Sequence, residues 1–326
     1  MSARASEVAR GPAIWMLALA QTLAYASFYY IFAALIVAWQ ADLGWDRTVL
    51  AAGPTLATIL AAALAPVMGR LVDAGKGPEV MAAGAVVGAM ALAGLALAQT
   101  PVAYLMAWGV IGLAQAACLY EVCFAFLVRR LGRAARPAIT RVTLVAGFAG
   151  TIAFPAGAAM SAGIGWRGAV GVAAGVALLA LVPLFLGAGR LIRRSGLPVQ
   201  DNLQADRGAL KRALNRPQFY MLAAIFALVS LNHWMIVYFA VPIFLEGMAA
   251  GTLALFASGL TPGLIFVFTA AQGGAIGVMT ILRPVLIAAV MGPAGYGAIA
   301  GAIQVPALLA GALAPLLGAV MLAGAG

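Results

Sequence analysis

Two charged residues stand inside otherwise apolar stretches of this sequence and are the first candidates for chemistry. Glu121 lies in the run 102–128, and Arg283 lies in the run 263–291. Because an ionisable side chain within a long apolar helix is costly, such a group usually pairs with a partner or lines a water-filled path. A carboxyl group can hold a proton, and a guanidinium offers a bidentate fork to a carboxylate. The pair therefore suggests proton and anion chemistry.

Polar and aromatic side chains also recur at helical spacing. Gln21, Tyr25 and Tyr29 follow one another at four-residue steps and share one face of the predicted helix 13–39. This stripe is a candidate lining for a ligand path. Helix packing or contact with lipid is an equal alternative for the aromatic members.

Three more polar residues lie in apolar runs, and each has a structural explanation beside a functional one. His233 has a reference pKa of about 6.5 and could titrate near neutral pH, or it could simply be hydrogen-bonded within a helix bundle. Gln115 and Gln272 are weaker candidates, because amide hydrogen bonds between helices explain them without a ligand. Cys118 and Cys123 are expected to be small apolar fillers. We predict no metal site and no cofactor, since one histidine and no ligand-spaced cysteine pair are available.

The composition indicates which elements must position these residues. Of the 326 residues, 65% are hydrophobic and 9% are charged, and the mean hydropathy is +1.06. A soluble globule of this length would lack the polar surface that water requires. A helix of about 20 apolar residues spans a bilayer. Nine such runs are predicted, at 13–39, 48–71, 79–99, 102–128, 139–162, 166–190, 218–245, 263–291 and 295–322.

The basic residues predict the orientation of the chain. With a cytoplasmic N-terminus, 16 of the 19 lysines and arginines fall in inner segments, as the positive-inside rule expects. The net charge of +10 then reflects topology and contact with anionic lipids, and not a nucleic-acid partner. Arginine far outnumbers lysine, which is typical of GC-rich bacterial genomes. We therefore expect a multi-pass protein of the bacterial cytoplasmic (inner) membrane.

The longest charged stretch divides the predicted helices into two groups. We predict a six-helix half over 1–190, a cytoplasmic linker over 191–217 and an incomplete second half over 218–326. The linker prediction depends on a run that is rich in arginine and contains helix-breaking residues.

The two halves resemble each other in sequence. At an offset of 160 residues, five positions are matched: Gly132, Ala134, Ala138, Ile139 and Pro155 match Gly292, Ala294, Ala298, Ile299 and Pro315. Trp15-Met16-Leu17-Ala18 matches Tyr220-Met221-Leu222-Ala223 at an offset of 205. The difference indicates that the second half lacks about two spans. The sequence stops where the counterpart of the sixth span should begin, so that span is expected to be missing as well. The segment 247–260 is either a re-entrant piece or a short tenth helix.

A repeated six-helix unit with a basic linker resembles the major facilitator superfamily of secondary transporters. The loop from Gly69 to Lys76 lies where that family carries its signature loop, and it holds five residues of that kind: Gly69, Arg70, Asp73, Gly75 and Lys76. The stretches 119–121 and 165–168 are also similar to bacterial members of unassigned substrate. The resemblance covers 13–245 well and 263–322 fairly.

The resemblance implies an all-α, polytopic bundle of two pseudo-symmetric halves, here with nine or ten helices instead of twelve. Helical rise places Glu121 and Arg283 about 10 to 12 Å from the inner boundary, and the resemblance implies that their helices line a central cavity. Glu121 would carry a proton or pair with Arg283, and Arg283 would alternate between Glu121 and an anionic substrate. A fixed pair that locks the halves together is the alternative. The offset of 205 places His233 opposite Phe28, toward the same cavity.

The signature loop implies a conformational gate. Asp73, beside Arg70 and near Arg129 or Arg130, is expected to join a charge cluster that stabilises one access state. A plain salt bridge on the inner face is the alternative. Gly69 is expected to allow close approach, and Gly75 to allow a tight turn.

The resulting prediction is a secondary active transporter that moves a small organic solute by alternating access. Organic anions belong to the predicted solute class, and protons are the predicted coupling partner. The alternative is a truncated, transport-inactive member of the same fold with an interaction or regulatory role. The spans hold no paired aspartates, zinc motif or nucleophile elbow, so we do not predict an enzyme. The oligomeric state is left open.

Overall fold

The computed structural model describes residues 3–197, 208–246, 280, 283–292 and 294–324, and these residues form helices and turns with no strand among them. Long apolar helices satisfy their backbone hydrogen bonds internally, as lipid requires. The helices are α1 (Ala3–Val8), α2 (Pro12–Phe28), α3 (Ile31–Leu43), α4 (Arg47–Asp73), α5 (Gly77–Ala96), α6 (Pro101–Cys118), α7 (Tyr120–Leu131), α8 (Ala135–Ala146), α9 (Ala149–Val176), α10 (Val182–Arg194), α11 (Ala209–Leu214), α12 (Pro217–Glu246), α13 (283–291) and α14 (Tyr296–Gly324).

Five stretches of the described chain are long and apolar enough to cross a membrane: Ala5–Leu43, Thr48–Asp73, Gly77–Ala96, Pro101–Leu131 and Ala135–Arg194. The last has 60 residues and would measure about 90 Å as one straight helix, three times the thickness of the hydrocarbon core. It is interrupted at Gly165, whose φ of 74° and ψ of 163° are not helical. This stretch therefore provides two crossings.

The predicted polytopic helical bundle is confirmed. The predicted runs from 48 to 128 agree with α4 to α7 within a few residues, and the predicted boundary between 162 and 166 falls at the Gly165 break. The last predicted run, 295–322, corresponds to α14. The segment 247–260 and most of the run 263–291 lie outside the described residues. Whether 247–260 crosses the membrane stays a prediction.

The first span is broken near its middle. Helix α2 ends at Phe28, and α3 begins at Ile31, while the N–H groups of Tyr29 and Tyr30 both donate to the carbonyl of Tyr25, at 3.0 and 2.9 Å. The carbonyl of Phe28 lies at this junction and accepts a hydrogen bond of 2.7 Å from Nε2 of Gln115. The amide side chain thus satisfies a backbone group that the break releases.

The fourth span is broken in a matching way. Leu119 is extended, with φ −80° and ψ −172°, and separates α6 from α7. The carbonyl of Cys118 accepts a hydrogen bond of 2.7 Å from Nε2 of Gln21, on the first span. Since Gln115 belongs to the fourth span, each of the two broken spans supplies the glutamine that caps the break in the other.

Helix α5 packs against both breaks through two glycines one helical turn apart. A Cβ atom at Gly84 would lie 2.9 Å from Sγ of Cys118, and one at Gly88 would lie 2.4 Å from the ring of Phe28. Small residues at such positions let membrane helices approach closely. Helix α5 therefore packs against both breaks, in addition to the hydrogen bonds that join the two broken spans.

The two predicted halves meet where α4 contacts α14. A Cβ atom at Gly69 would lie 2.0 Å from the carbonyl oxygen of Gly297, and one at Gly301 would lie 2.4 Å from the carbonyl oxygen of Ala65. Four small residues spaced four apart on two helices thus bring the backbones into direct contact, as GxxxG-like packing does. The prediction that Gly69 allows close approach is confirmed.

Charged pairs join the helix ends within the first half. Arg193, at the end of α10, donates to both carboxylate oxygens of Glu79 at 2.5 and 2.7 Å. At the opposite end of the bundle, Oδ2 of Asp42 accepts hydrogen bonds from Nε1 of Trp166 at 2.8 Å and from Nη1 of Arg167 at 2.6 Å. These pairs are largely exposed, so they position helix ends more than they stabilise the fold.

The α4–α14 contact predicts that Gly69→Val is destabilising. The new side chain would force the two backbones apart, at a cost of about 1 to 3 kcal/mol for overpacking. The measurement is the thermal unfolding midpoint of the purified protein in detergent. Gly94→Val is the matched control, because no atom lies within 4 Å of a Cβ at that position. Equal midpoints for the two variants would contradict the packing described.

The paired glutamines predict a second stability effect. Gln21→Met and Gln115→Met keep the side-chain volume but leave a buried carbonyl without its donor, which costs about 1 to 3 kcal/mol each. The unfolding midpoint in detergent again measures the effect. Gln99→Met, at an exposed position between α5 and α6, is the control. A Gln21→Met variant as stable as the control would show that the capping bond does not matter.

Candidate functional site

Arg283 is held between α12 and α14, two helices of the predicted second half. Its Nη1 donates a hydrogen bond to Oε1 of Gln304 on α14, and its guanidinium carbon lies 4.9 Å from the ring centre of Phe226 on α12. Gln304 and Phe226 are both buried, so the side chain is directed into the bundle. The Nε atom of Arg283 is buried and has no hydrogen-bond partner within the described part of the chain.

Glu121 lies in the first turn of α7, directly after the break at Leu119. The positive end of the α7 dipole favours a negative charge at this position. Its charge interacts with Tyr25, Tyr120 and Arg283. Between the described residues, no salt bridge joins Glu121 to Arg283 in this conformation. The two groups are thus near each other without being bonded, and their predicted roles stay predictions.

Four tyrosines surround this region, and we call Tyr25, Tyr29, Tyr30 and Tyr120 the tyrosine cluster. The ring centre of Tyr25 lies 4.5 Å from that of Tyr120, 5.8 Å from that of Tyr29 and 6.5 Å from that of Tyr30. All four residues are only partly buried. The two helix breaks account for the cluster, because Tyr29 and Tyr30 form the first break and Tyr120 follows the second.

A second aromatic group differs from the tyrosine cluster in how deeply it is buried. Trp39, Tyr104 and Trp108 lie within 5.9 to 6.3 Å of one another and are 0%, 1% and 0% exposed. The hydroxyl of Tyr104 donates to the carbonyl of Leu50 at 2.8 Å. That group is a packed core, whereas the tyrosine cluster retains accessible surface.

The structure brings some of the predicted site residues together and separates others. The rings of Tyr25 and Tyr29 lie together, as their helical spacing indicated, and Tyr25 packs on Tyr120, the residue before Glu121. Gln21 and Gln115 are 0% and 6% exposed, and each donates its amide to a backbone carbonyl; a role for them in a solute path stays a prediction. His233 lies on α12, but its side chain is outside the described residues, and Gln272 is outside them entirely.

The predicted gate loop makes a contact that the sequence did not indicate. Oδ1 and Oδ2 of Asp73 accept hydrogen bonds of 2.9 Å each from the N–H groups of Gly297 and Ala298, in the first turn of α14. A buried carboxylate thus caps a helix of the other half. Among the predicted basic partners, the charge of Arg129 acts on Asp73, whereas Arg70 is exposed.

The rest of the loop agrees with its predicted geometry. Gly75 has φ +85°, so it forms the tight turn after α4 that only glycine adopts easily. Lys76 is exposed and precedes α5. Arg141, on α8, donates through Nη1 to the carbonyl of Ala9 at 2.7 Å.

Sequence reasoning missed several residues of the site. Gln304, Phe226 and Tyr296 were not proposed, although Gln304 is an isolated polar residue in the apolar run 295–322 and could have been noticed on that ground. The hydroxyl of Tyr296 donates to the carbonyl of Pro284 at 3.3 Å and joins α14 to α13. Tyr120 was noted only for its similarity to the family, not as part of a cluster.

The described residues contain no group of three or more His, Cys, Asp or Glu side chains that could hold a metal ion. Cys118 and Cys123 are free and buried. The site within the described chain is therefore made of one arginine, one glutamate, three glutamine amides, several tyrosines and a phenylalanine ring.

Comparison with known proteins supports the family that the fold and the loop indicate. The family model described as Major Facilitator Superfamily matches residues 17–261, which is more than half of the chain. The comparison with curated proteins found no match. Members of this family move small solutes across membranes, which points to a transporter rather than an enzyme. With apolar helices long enough to cross a bilayer and a family match of this extent, the chain is a multi-pass membrane protein that belongs to the major facilitator superfamily.

Proposed function

We propose that this protein moves a small organic anion across the cytoplasmic membrane by alternating access, with protons as the coupling ion. The observation that supports this proposal most directly is the guanidinium of Arg283, which faces the bundle interior. A permanent positive charge at such a depth is costly unless a negative charge meets it for part of the cycle.

Arg283 is suited to bind an anion reversibly. Its bonded partner among the described residues is the neutral amide of Gln304, and its second contact is the ring of Phe226. Neither contact cancels the charge. A carboxylate offers both charge and two acceptor oxygens, so it would bind more strongly than these partners do.

Glu121 is suited to couple this binding to a proton. When it is ionised, its charge attracts Arg283 and competes with an anionic solute. When it is protonated, the competition disappears, because the interaction between the two charges depends on the carboxylate. A proton and an anion would therefore bind together more readily than either alone.

The α4–α14 contact is suited to act as the gate. Asp73 holds the start of α14 through two hydrogen bonds, and Gly69 and Gly297 lie in direct contact beside it. Movement of one half against the other must break both contacts at once. The equilibrium between two access states would then depend on this one carboxylate and a few glycines.

Solute uptake by proteoliposomes tests the proposal. With a panel of organic carboxylates and an inward proton gradient, we expect uptake that Arg283→Ala and Glu121→Gln reduce by about 10- to 100-fold, since hydrogen bonds to charged groups contribute about 1.5 to 3 kcal/mol. Glu121→Gln should also lose its dependence on the gradient.

Arg10→Ala and Glu7→Gln are the matched controls, because both residues are exposed near the N-terminus and should leave uptake unchanged. Uptake that is insensitive to Arg283→Ala and Glu121→Gln would remove the proposed site. An absence of uptake for every solute, in protein that unfolds cooperatively, would favour the alternative of a transport-inactive member of the family with an interaction role.

The orientation is a proposal of its own, with the N-terminus on the cytoplasmic side. It rests on the basic residues at the ends of α7 and α10 and on the positive-inside rule. We expect that Gln99→Cys reacts with a membrane-impermeant maleimide in intact cells, whereas Arg194→Cys reacts only after permeabilisation. The unsubstituted protein is the control, since Cys118 and Cys123 are buried. The reverse labelling pattern would invert the topology.

A further inference from the structure

The tyrosine cluster has free surface that the fold does not use. Tyr25, Tyr30 and Tyr120 are partly exposed, and within the described part of the chain their hydroxyl groups have no hydrogen-bond partner. The comparable hydroxyls of Tyr104 and Tyr296 both donate to carbonyls. Polar groups inside a membrane bundle normally find such partners. Accessible ring surface and unpaired hydroxyls of these three tyrosines in one place indicate a surface for a ligand.

The cluster is continuous with the charged part of the site. Tyr25 packs on Tyr120 at a ring distance of 4.5 Å, and Tyr120 begins α7, which packs against α14, the helix whose Gln304 holds Arg283. Tyr120 in turn stacks on Phe124 at 4.8 Å with nearly parallel rings. The aromatic surface and the guanidinium thus belong to helices that pack against each other.

Arg283 retains donors for a ligand on its side of this surface. Its Nη1 bonds to Gln304, and its Nε is buried without a partner among the described residues. In a guanidinium, Nε–H and one N–H of Nη2 point the same way and form a fork for the two oxygens of a carboxylate. A ligand that reaches this edge would supply the missing acceptor.

We propose that the solute is an aromatic carboxylate, whose carboxylate binds Arg283 while its ring packs on the tyrosine cluster. This inference depends on the proposed function, since it names the solute class of the same site. Aromatic pairs prefer offset or edge-to-face contacts with ring centres about 4.5 to 7 Å apart. Tyrosines arranged around Tyr25 at similar distances can offer such contacts, together with hydroxyl donors for an additional polar group on the ring.

A cationic amine is the principal competitor, because tyrosine rings beside a carboxylate also suit a cation. Glu121 provides that carboxylate. However, the guanidinium of Arg283 is held by Gln304 on α14, which packs against the helix of Glu121, and it would repel a cation. The arrangement therefore favours an aromatic anion over an aromatic cation.

Binding of four matched probes to the purified full chain in detergent tests this inference. The probes are benzoate, cyclohexanecarboxylate, benzylamine and phenylalanine, and their dissociation constants are measured by equilibrium dialysis. Benzoate and cyclohexanecarboxylate share the carboxylate and the carbon number but differ in the ring, so their ratio isolates the aromatic contact. We expect benzoate to bind about 2- to 10-fold more tightly than cyclohexanecarboxylate, as an aromatic contact predicts.

Variants assign the preference to named residues. Tyr120→Leu should abolish the preference for benzoate, and Tyr120→Phe should keep it, because the ring and not the hydroxyl carries it. Tyr220→Leu is the control, since Tyr220 is 58% exposed on α12 and lies outside the cluster. Arg283→Ala should weaken benzoate and cyclohexanecarboxylate alike.

Equal binding of benzoate and cyclohexanecarboxylate would overturn the inference while leaving carboxylate transport intact. Tighter binding of benzylamine or phenylalanine than of benzoate would overturn it as well, in favour of a cationic or zwitterionic solute. Failure of the proposed function is recognised separately, by the absence of carboxylate uptake in proteoliposomes. A preference that survives Tyr120→Leu would show that the ring binds elsewhere.

Discussion

Backbone polar groups must be satisfied inside the hydrocarbon, and the candidate site depends on how this chain meets that requirement. Two spans are interrupted near their middle, and an interruption releases carbonyls that water cannot reach. Gln115 caps the carbonyl of Phe28, and Gln21 caps that of Cys118. Because each span caps the other, the two breaks are stable only together. They form one unit, not two separate defects.

The positions of the candidate site residues follow from these two capped breaks. The break after Cys118 begins a new helix at Tyr120 and places Glu121 in its first turn, where the helix dipole supports a carboxylate. The break after Phe28 turns Tyr29 and Tyr30 toward the same region. Discontinuous helices near the centre of a membrane bundle are where transporters bind solutes and ions. The proposed site therefore lies where the backbone is irregular. The hydrogen bonds from the two glutamines offset the free-energy cost of the unpaired carbonyls there.

The second half contributes through two contacts of different character. At the proposed gate, Asp73 and closely packed glycines join α4 to the start of α14. The contact consists of two directional hydrogen bonds and a direct approach of the two backbones. Around Arg283 the neighbours in the described part of the chain include a neutral amide and a ring, which orient the guanidinium without neutralising it. The proposed alternating binding of an anion requires both features: the firm α4–α14 contact at one end of the bundle, and the charge of Arg283 in the interior, which its described neighbours do not neutralise.

The sequence alone determined the membrane class, most helix boundaries and the tight turn at Gly75, because hydropathy, length and glycine conformational freedom are local properties. It also indicated Glu121, Tyr25 and Tyr29 as candidate site residues, since a charge or a polar stripe in an apolar run is conspicuous without coordinates. Only the tertiary structure showed that Gln21 and Gln115 cap each other's spans, that Asp73 binds the amides of Gly297 and Ala298, and that Gln304 holds Arg283. In the first two cases the bonded residues are 87 to 225 positions apart in the sequence. Their partners are backbone groups, which every residue has and which the sequence therefore does not mark. A carbonyl freed by a break, or an N–H at a helix start, becomes a binding partner only once folding has brought another helix against it.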